Sequence, residues 1–254
     1  MGKVFVFANQ KGGVGKTTSC INIGAYIAQA GKKVLLVDFD SQGNMSSGVG
    51  VNKKKPTVYE FMYGNASAQD SIKKTSVEGL DIISASIDLA GTTIELADEK
   101  YKDSRDFFLK KAIDTIKDKY DFILIDCPPS LGILTLNGLV AADGVLVPMQ
   151  CEYFALEGIA QLLQAVKRVQ KTTNPNLAIC GIFFTMYDSR TRLANDVVMQ
   201  VKSYFKDKVF NTIIPRNIRL SEAPSHGKPI CLYDPACVGA KSYQKLAQEV
   251  ISRG

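Results

Sequence analysis

A glycine-rich segment between two apolar stretches constrains the fold of this chain more than any other feature. Residues 10–18 read QKGGVGKTT, after an apolar run at residues 4–8 and before a helix-like run at residues 19–30. A strand, a glycine-rich loop and a helix in this order are typical of a phosphate-binding loop. Glycines let backbone N–H groups turn toward phosphate oxygens, and the helix points its positive dipole end at the same oxygens. The segment therefore predicts a phosphate site at the carboxyl end of the first strand.

Two residues of this loop carry the chemistry that a nucleotide site needs. Lys16 is placed to reach the β- and γ-phosphates, and the Thr17 hydroxyl is placed to bind Mg²⁺. The common pattern, G-x-x-x-x-G-K-S/T, has its first glycine where this chain has Gln10, and an additional lysine precedes the glycine pair. We expect nucleotide contacts from the whole loop: Lys11, Gly12, Gly13, Val14, Gly15, Lys16, Thr17 and Thr18.

Two later apolar runs end in acidic residues. Residues 33–38 read KVLLVD and are followed by Asp40, and residues 121–126 read DFILID. The carboxyl ends of parallel strands are where open α/β sheets bind ligands. Asp40 is placed to orient or deprotonate an attacking water, and Asp126 to hold Mg²⁺-bound water. Asp38 is placed to position either Mg²⁺-bound water or the loop. The alternative is structural: an Asx-rich turn after the first strand and a capping aspartate after the second.

Further apolar runs complete the predicted sheet. Strands are expected at residues 80–84, 144–148, 177–185 and 209–214, and helices at residues 58–63, 89–97, 106–118, 151–169 and 195–205. A terminal helix that carries Tyr243 and Leu246 on one face is expected to pack on the core. Strands that alternate with helices favour parallel pairing through right-handed crossovers. We therefore predict one α/β domain, residues 1–254, with a doubly wound, mostly parallel sheet flanked by helices.

Positive charge is concentrated near the end of the chain. The formal net charge is +6, and residues 181–254 hold 11 Lys+Arg against 6 Asp+Glu. A localised basic excess is what a protein that binds phosphate backbones needs, although a solvated basic face has the same composition. The six cysteines lack paired C-x-x-C spacing, so we interpret them as small buried residues rather than metal ligands. No apolar run has the ~18 residues of a membrane-spanning helix, and we expect a cytoplasmic protein with no signal peptide and no membrane partner.

Five motifs together resemble those of a known family. The loop at residues 10–18 is similar to the "deviant Walker A" pattern K-G-G-x-G-K-S/T of the ParA/MinD group of P-loop NTPases. Residues 38–44 resemble its D-x-D-P-Q-G-N motif, with Ser41 in place of proline, and residues 126–130 match D-x-P-P-S. Residues 183–193 and 214–225 resemble the T-M-Y-D-x-R-T-x-L and I-P-R-N-x-x-L-S-E-A-P-S segments of chromosomal, Soj-type ParA proteins. The resemblance covers nearly the whole chain.

This resemblance implies a chromosome- or plasmid-partitioning ATPase that uses ATP and Mg²⁺. Lys11, Lys16 and Asp40 would be catalytic, and Met186, Pro215 and Asn217 would lie near the adenine. The ATP-bound form would be a homodimer in which Lys11 of each subunit reaches the other's phosphates. Arg190 and Arg219 would bind double-stranded DNA without sequence preference, which would associate the protein with the nucleoid. The alternative for these two arginines is structural: salt bridges within the chain or a solvated face. A ParB-type centromere-binding protein would stimulate the slow intrinsic ATPase and so release the DNA.

Three other functions share parts of this pattern. A membrane-positioning ATPase of the MinD kind would end in a basic amphipathic helix, whereas only three residues follow Ile251 here. An iron–sulfur electron carrier of the nitrogenase-reductase kind would need two suitably placed cysteines, and Cys127 has no evident second. A nucleotide-bound regulatory protein without useful turnover would resemble a slow ATPase.

Overall fold

The computed structural model describes residues 2–152 and 155–253 and contains one seven-stranded sheet with the strand order β3-β4-β2-β5-β1-β6-β7. All paired neighbours are parallel except β3, which runs antiparallel to β4. This confirms the predicted doubly wound, mostly parallel α/β sheet. The strands are β1 (Lys3–Phe7), β2 (Val34–Asp38), β3 (Ile72–Lys74), β4 (Leu80–Ile83), β5 (Phe122–Asp126), β6 (Gly144–Gln150) and β7 (Ala178–Thr185).

Helices cover both faces of the sheet. They are α1 (Lys16–Gln29), α2 (Asn44–Gly48), α3 (Val58–Met62), α4 (Ala68–Ser71), α5 (Thr92–Glu95), α6 (Phe108–Asp114), α7 (Ile133–Ala141), α8 (Ala155–Thr172), α9 (Arg192–Phe205), α10 (Ile218–Glu222), α11 (Ile230–Tyr233) and α12 (Val238–Arg253). The expected start of α8 lies partly at residues 153–154, outside the described residues. Across residues 2–152 and 155–253, no helix has both the length and the apolar character to cross a bilayer.

Alternating side chains of the strands contribute to two hydrophobic cores, one on each face of the sheet. In β1, Val4 and Val6 belong to the core to which α3 and α6 to α9 also contribute, whereas Phe5 and Phe7 belong to the core on the opposite face, together with α1, α2 and α12. Successive side chains of a strand point to opposite faces, so a sheet covered on both sides reads as a continuous apolar run. This is why the runs at residues 4–8 and 121–126 could be recognised as central strands.

Helix α1 connects the nucleotide loop to the last third of the chain. The Ser19 hydroxyl and the Tyr243 hydroxyl of α12 are hydrogen-bonded at 2.9 Å. The Asn22 side chain accepts a hydrogen bond from the Ile230 N–H at 2.7 Å and donates one to the Thr18 carbonyl at 2.8 Å. At Gly24 an added Cβ would approach Leu36 to 2.8 Å, so the glycine permits close packing of α1 on the sheet. The terminal helix packs on the core, as predicted.

The predicted strand at residues 209–214 is wrong. The Phe210 and Ile214 N–H groups donate to carbonyls of β7, but only an isolated bridge forms between Ile182 and Val209. The intervening N–H groups of Asn211 and Thr212 donate instead to the Glu249 carboxylate of α12, at 2.9 and 2.8 Å. A side chain distant in sequence therefore replaces the strand ladder.

Two smaller expectations also need correction. The helix expected at residues 89–97 is a 3₁₀ turn, Ile87–Ala90, followed by the short α5, because Ser86 caps the start of the turn and Gly91 separates the two pieces. The cysteines are only partly buried as a group: Cys151, Cys180 and Cys237 are half-buried, and the other three are buried. Cys151 follows β6 and Cys237 precedes α12, whereas Cys180 lies within β7, the outermost strand on that side of the sheet.

Candidate functional site

The register of the central strands brings the predicted motifs together. Phe7 of β1 pairs with Asp126 of β5, and Asp126 pairs with Asp38 of β2. The loop after β1 and the two aspartates therefore lie together at the carboxyl ends of three central strands. The Thr17 hydroxyl, in the first turn of α1, donates a hydrogen bond to Asp126 Oδ2 at 2.6 Å.

The loop itself has the backbone shape that its glycines permit. Gly13 and Gly15 have φ values of 75° and 82°, in the left-handed region that side chains disfavour. The Lys16 ammonium curls back to the Lys11 carbonyl at 3.2 Å, and the side chain is buried. Burial lowers the pKa of Lys16, an effect that the nearby Asp126 charge opposes. The residues Gly12, Val14 and Thr18 lie in the same turn between β1 and α1.

Two side chains from neighbouring strands brace this loop. The Thr185 hydroxyl, at the end of β7, donates to the Val14 carbonyl at 2.8 Å. The Gln150 amide, at the end of β6, donates to the Gly13 carbonyl at 2.9 Å. Neither residue was predicted, because nothing near them in the sequence shows that β6 and β7 lie beside the loop.

The two strand-end aspartates lie in a buried environment. Burial raises the pKa of Asp126 to about 8, and repulsion from Asp38 adds to the effect. Burial also raises the pKa of Asp38, to about 6, although hydrogen bonds from Ser46 oppose this. Asp40 lies at the rim, where its carboxylate accepts a hydrogen bond from the Gln42 N–H at 3.1 Å. The group that could activate water is thus the one that solvent reaches.

The donor set fits a hydrated divalent cation. Oδ1 of Asp38 and Oδ1 of Asp126 are both buried and have no hydrogen-bond partner among the described residues. Buried oxygens without partners are rare and need a donor or a cation to satisfy them. No cluster of three or more His, Cys, Asp or Glu suited to a metal occurs in residues 2–152 and 155–253. Mg²⁺ is typically held by one or two carboxylates together with water and phosphate oxygens, which matches Thr17, Asp38 and Asp126.

Ser46 is a functional candidate that sequence reasoning missed. Its N–H and its hydroxyl both donate to Asp38 Oδ2, at 2.7 and 2.6 Å, and the hydroxyl accepts from the Ala85 N–H at 3.2 Å. Ser46 thus fixes one oxygen of Asp38 and leaves the other free. The residue lies on the short helix α2, whose five residues show too little periodicity to be recognised.

A cavity of about 190 Å³ lies beside the loop. Met186, Pro215 and Asn217, which the resemblance places near the adenine, line it together with Gly15 and Thr18. Tyr243 of α12 also contributes to the wall and was not predicted. The cavity and the phosphate loop are therefore continuous, as a nucleotide requires.

Lys11 points to a carboxylate of its own chain. Its ammonium forms an ion pair with Glu152, and both side chains are about half exposed. Its backbone N–H donates to Asn9 Oδ1 at 3.0 Å. The ammonium is therefore at the surface of the site, close to solvent.

The two predicted DNA-binding arginines are also held by carboxylates. Arg190 Nε and Nη2 donate to the two oxygens of Asp188 at 2.8 and 2.6 Å. Arg219 Nη1 donates to Glu222 at 2.9 Å, and its Nε lies 3.4 Å from Asp234. Both guanidinium groups are exposed. A backbone bridge between Tyr187 and Pro215 brings the two segments together.

Comparison with known proteins supports this geometry. A family profile described as an AAA domain matches residues 2–179. The chromosome-partitioning ATPase Soj of Treponema pallidum is 64% identical over 253 residues, which are 100% of this chain and 98% of that protein.

Two solved structures share the fold. A plasmid partition protein of Borrelia burgdorferi bound to AMPPNP has a TM-score of 0.82 at 26% identity, and the match covers 100% of this chain and 98% of the Borrelia chain. Cobyrinic acid a,c-diamide synthase of Mycobacterium smegmatis, with bound ADP and magnesium, has a TM-score of 0.84 at 38% identity and covers 98% and 93%. Because the identity to Soj is much higher and extends over the whole chain, this chain belongs to the ParA/Soj family of chromosome-partitioning ATPases.

Proposed function

We propose that this protein binds ATP and Mg²⁺ and hydrolyses ATP to ADP and phosphate in order to partition chromosomes or plasmids. The observation that carries the proposal is the arrangement of Thr17, Asp38 and Asp126 beneath a glycine-rich loop that is open to a base-sized cavity. The nucleotide-bound relatives support the same ligands.

Each side chain of the site has a role in this proposal. The Lys16 ammonium neutralises charge on the β- and γ-phosphates, and Asp40 orients or deprotonates the attacking water. Thr17, Asp38 and Asp126 hold the hydrated Mg²⁺, which when bound offsets the negative charge of the phosphates. Met186, Pro215 and Asn217 enclose the adenine.

The partitioning step requires two subunits. In the ATP-bound homodimer, Lys11 of each subunit leaves Glu152 and stabilises the charge that develops on the other's phosphates. The dimer joins two basic surfaces, including Arg190 and Arg219, into one that binds duplex DNA of the nucleoid without sequence preference. Because affinity falls steeply with each lost phosphate contact, hydrolysis and dissociation release the DNA. A ParB-type centromere-binding protein stimulates a slow intrinsic turnover.

The deciding experiment measures binding to random-sequence duplex DNA with ATP, with ADP and without nucleotide. Asp40→Ala is used to hold ATP unhydrolysed. We expect binding with ATP only, and weaker binding as the salt concentration rises. Equal binding, or none, in all three states would remove the DNA step and leave only the nucleotide site.

Two alternatives are tested with the same preparation. Sedimentation with anionic lipid vesicles in the presence of ATP would favour a MinD-like function. A purified protein that shows the visible absorption of an iron–sulfur cluster would favour an electron carrier, whereas a colourless protein excludes it. We expect neither vesicle binding nor colour.

A further inference from the structure

Arg216 belongs to both the nucleotide cavity and the basic surface. The Arg216 N–H donates to the Tyr187 carbonyl at 3.0 Å, and the Tyr187 N–H donates to the Ile214 carbonyl at 3.1 Å. These bonds hold Arg216 next to the loop that carries Arg190, three residues before Arg219. Arg216 also contributes to the cavity wall, between Pro215 and Asn217.

The guanidinium groups of these three arginines differ in what already holds them. Arg190 donates through Nε and Nη2 to the two oxygens of Asp188, and Arg219 faces both Glu222 and Asp234. Arg216 is exposed, and among the described residues no carboxylate oxygen lies within 4.0 Å of it. The hydrogen bonds from Arg190 lower the pKa of Asp188 to about 2, and the charge of Arg216 adds to this effect. Arg216 therefore lies close to the Asp188–Arg190 pair without being part of it.

A phosphate that binds Arg190 or Arg219 must first displace a carboxylate that occupies the same fork of donors. A phosphate that binds Arg216 displaces no carboxylate of the described residues. The bound pairs also cancel charge, since Asp188, Glu222 and Asp234 oppose Arg190 and Arg219. Of these three arginines, Arg216 is thus the one whose guanidinium is most available to a polyanion.

We propose that Arg216 makes the strongest contact of these three arginines with the phosphate backbone of duplex DNA, and that Arg190 and Arg219 contribute less because each must exchange its carboxylates for phosphates. This inference rests on the proposed DNA-binding function. It also assigns the segment from Pro215 to Arg219 to two ligands at once, because the backbone that lines the base cavity carries the arginine that meets DNA.

The test uses the full-length Asp40→Ala protein with saturating ATP and a fluorescent random-sequence duplex, titrated over a series of salt concentrations. Arg216→Ala, Arg216→Lys and Arg190→Ala are compared with Arg168→Ala. Arg168→Ala is a matched control because it removes the same charge from an exposed position. Arg168 lies on α8, which packs on the face of the sheet opposite to the segment that carries Arg216. ATP affinity is measured separately for each variant with a fluorescent analogue.

We expect Arg216→Ala to weaken DNA binding about tenfold at ~0.1 M salt and to lower the salt slope by about two, one phosphate contact for each subunit of a dimer. Arg216→Lys should restore part of the affinity, since it keeps the charge but lacks the fork. Arg190→Ala should lose less than Arg216→Ala, and Arg168→Ala should change affinity less than about threefold.

Three results would overturn the inference while leaving the DNA-binding function intact. One is an Arg216→Ala protein that binds DNA as well as Arg168→Ala does. Another is a larger loss in Arg190→Ala than in Arg216→Ala. The third is a loss of DNA binding that merely follows a loss of ATP binding. If the parent protein with ATP binds no DNA, the proposed function fails and the inference fails with it.

Discussion

At the scale of single residues, the main feature of the site is the hydrogen bonding of two buried carboxylates, Asp38 and Asp126. Ser46 fixes one oxygen of Asp38, and Thr17 bonds to one oxygen of Asp126. The other oxygen of each carboxylate has no hydrogen-bond partner in the part of the chain that the structure describes. Each carboxylate is thus oriented on one side and left open on the other. Such orientation by a residue behind the ligand is what metal sites commonly need.

Ser46→Ala should weaken the metal-dependent part of nucleotide binding. The lost hydroxyl leaves Asp38 Oδ2 with one donor instead of two, so the carboxylate is less firmly oriented. We expect the Mg²⁺ concentration for half-maximal ATP binding to rise about tenfold, with a stability loss of about 1–2 kcal/mol. Ser47→Ala is the control, because Ser47 is exposed and its hydroxyl donates to the Gly43 carbonyl rather than to Asp38. Equal Mg²⁺ requirements in the two variants would contradict this role of Ser46.

At the scale of elements, helix α1 depends on partners that are distant in sequence. Ser19 and Asn22 bond to α12 and to the start of α11, and the side chains between residues 19 and 28 are buried. The helix that begins at the phosphate loop is therefore held in place by the end of the chain.

Tyr243→Phe should destabilise the protein by about 1–3 kcal/mol, because the buried Ser19 hydroxyl loses its partner while the ring still fills the same space. Urea unfolding of the variant and of Tyr204→Phe measures the effect. Tyr204 is 76% exposed, so removal of its hydroxyl should change stability by less than about 0.5 kcal/mol. Similar unfolding midpoints would show that the bond between α1 and α12 contributes nothing measurable.

The N-terminus of α3 should make stability depend on acid pH. Thr57 and Glu60 form a capping box, and Lys55 pairs with Glu60 at 3.1 Å. Burial alone would raise the pKa of Glu60, but hydrogen bonds from Thr57 and Lys55 outweigh it and lower the pKa to about 2. A carboxyl whose pKa is lower in the folded state stabilises the protein above the unfolded pKa, near 4.5, and loses that effect as pH falls toward 2.

Glu60→Gln should therefore unfold at a lower temperature than the parent at pH 7, and the difference should shrink as pH falls from about 4.5 to 2. Thermal unfolding followed by circular dichroism over this range measures it. Glu99→Gln, in an exposed pair with Lys102, is the control and should differ little from the parent at any pH. A constant difference at all pH values would assign the effect to the cap geometry rather than to the charge.

The elements that could be predicted from the sequence are those whose burial shows as a continuous apolar run or a short motif. The apolar runs of β1, β2 and β5 and the glycine-rich loop place Thr17, Asp38 and Asp126 without further information. The same reasoning failed at residues 209–214, because Glu249 supplies bonds that no local pattern shows. Ser46 was missed for a related reason: its importance depends on a hydrogen bond to β2 and another to Ala85, which follows β4.

At the scale of the whole molecule, the ion pair between Lys11 and Glu152 within one subunit competes with the contact that Lys11 is proposed to make in the dimer. Lys11 cannot pair with Glu152 and reach the phosphates of another subunit at the same time. Since exposed ion pairs contribute only about 0.2–1 kcal/mol, the cost of breaking this one is small.

Glu152→Gln should promote the ATP-bound dimer by a few fold, because it removes the competitor for Lys11. Sedimentation equilibrium of the Asp40→Ala protein with ATP measures the dimer dissociation constant with and without the change. Glu157→Gln, an exposed residue of α8, removes the same charge nearby and should leave the constant unchanged. A weaker dimer in Glu152→Gln would mean that Glu152 itself supports the interface.

The position of α1 also determines how the molecule opens. Because this helix is buried between the sheet and the last third of the chain, the loop cannot loosen without disturbing α12. Opening of the two regions should then be one cooperative event, and nucleotide bound at the loop should slow amide hydrogen exchange in α12, far along the chain from the phosphates. The rate of amide hydrogen exchange in α12 would then indicate whether nucleotide occupies the loop between β1 and α1.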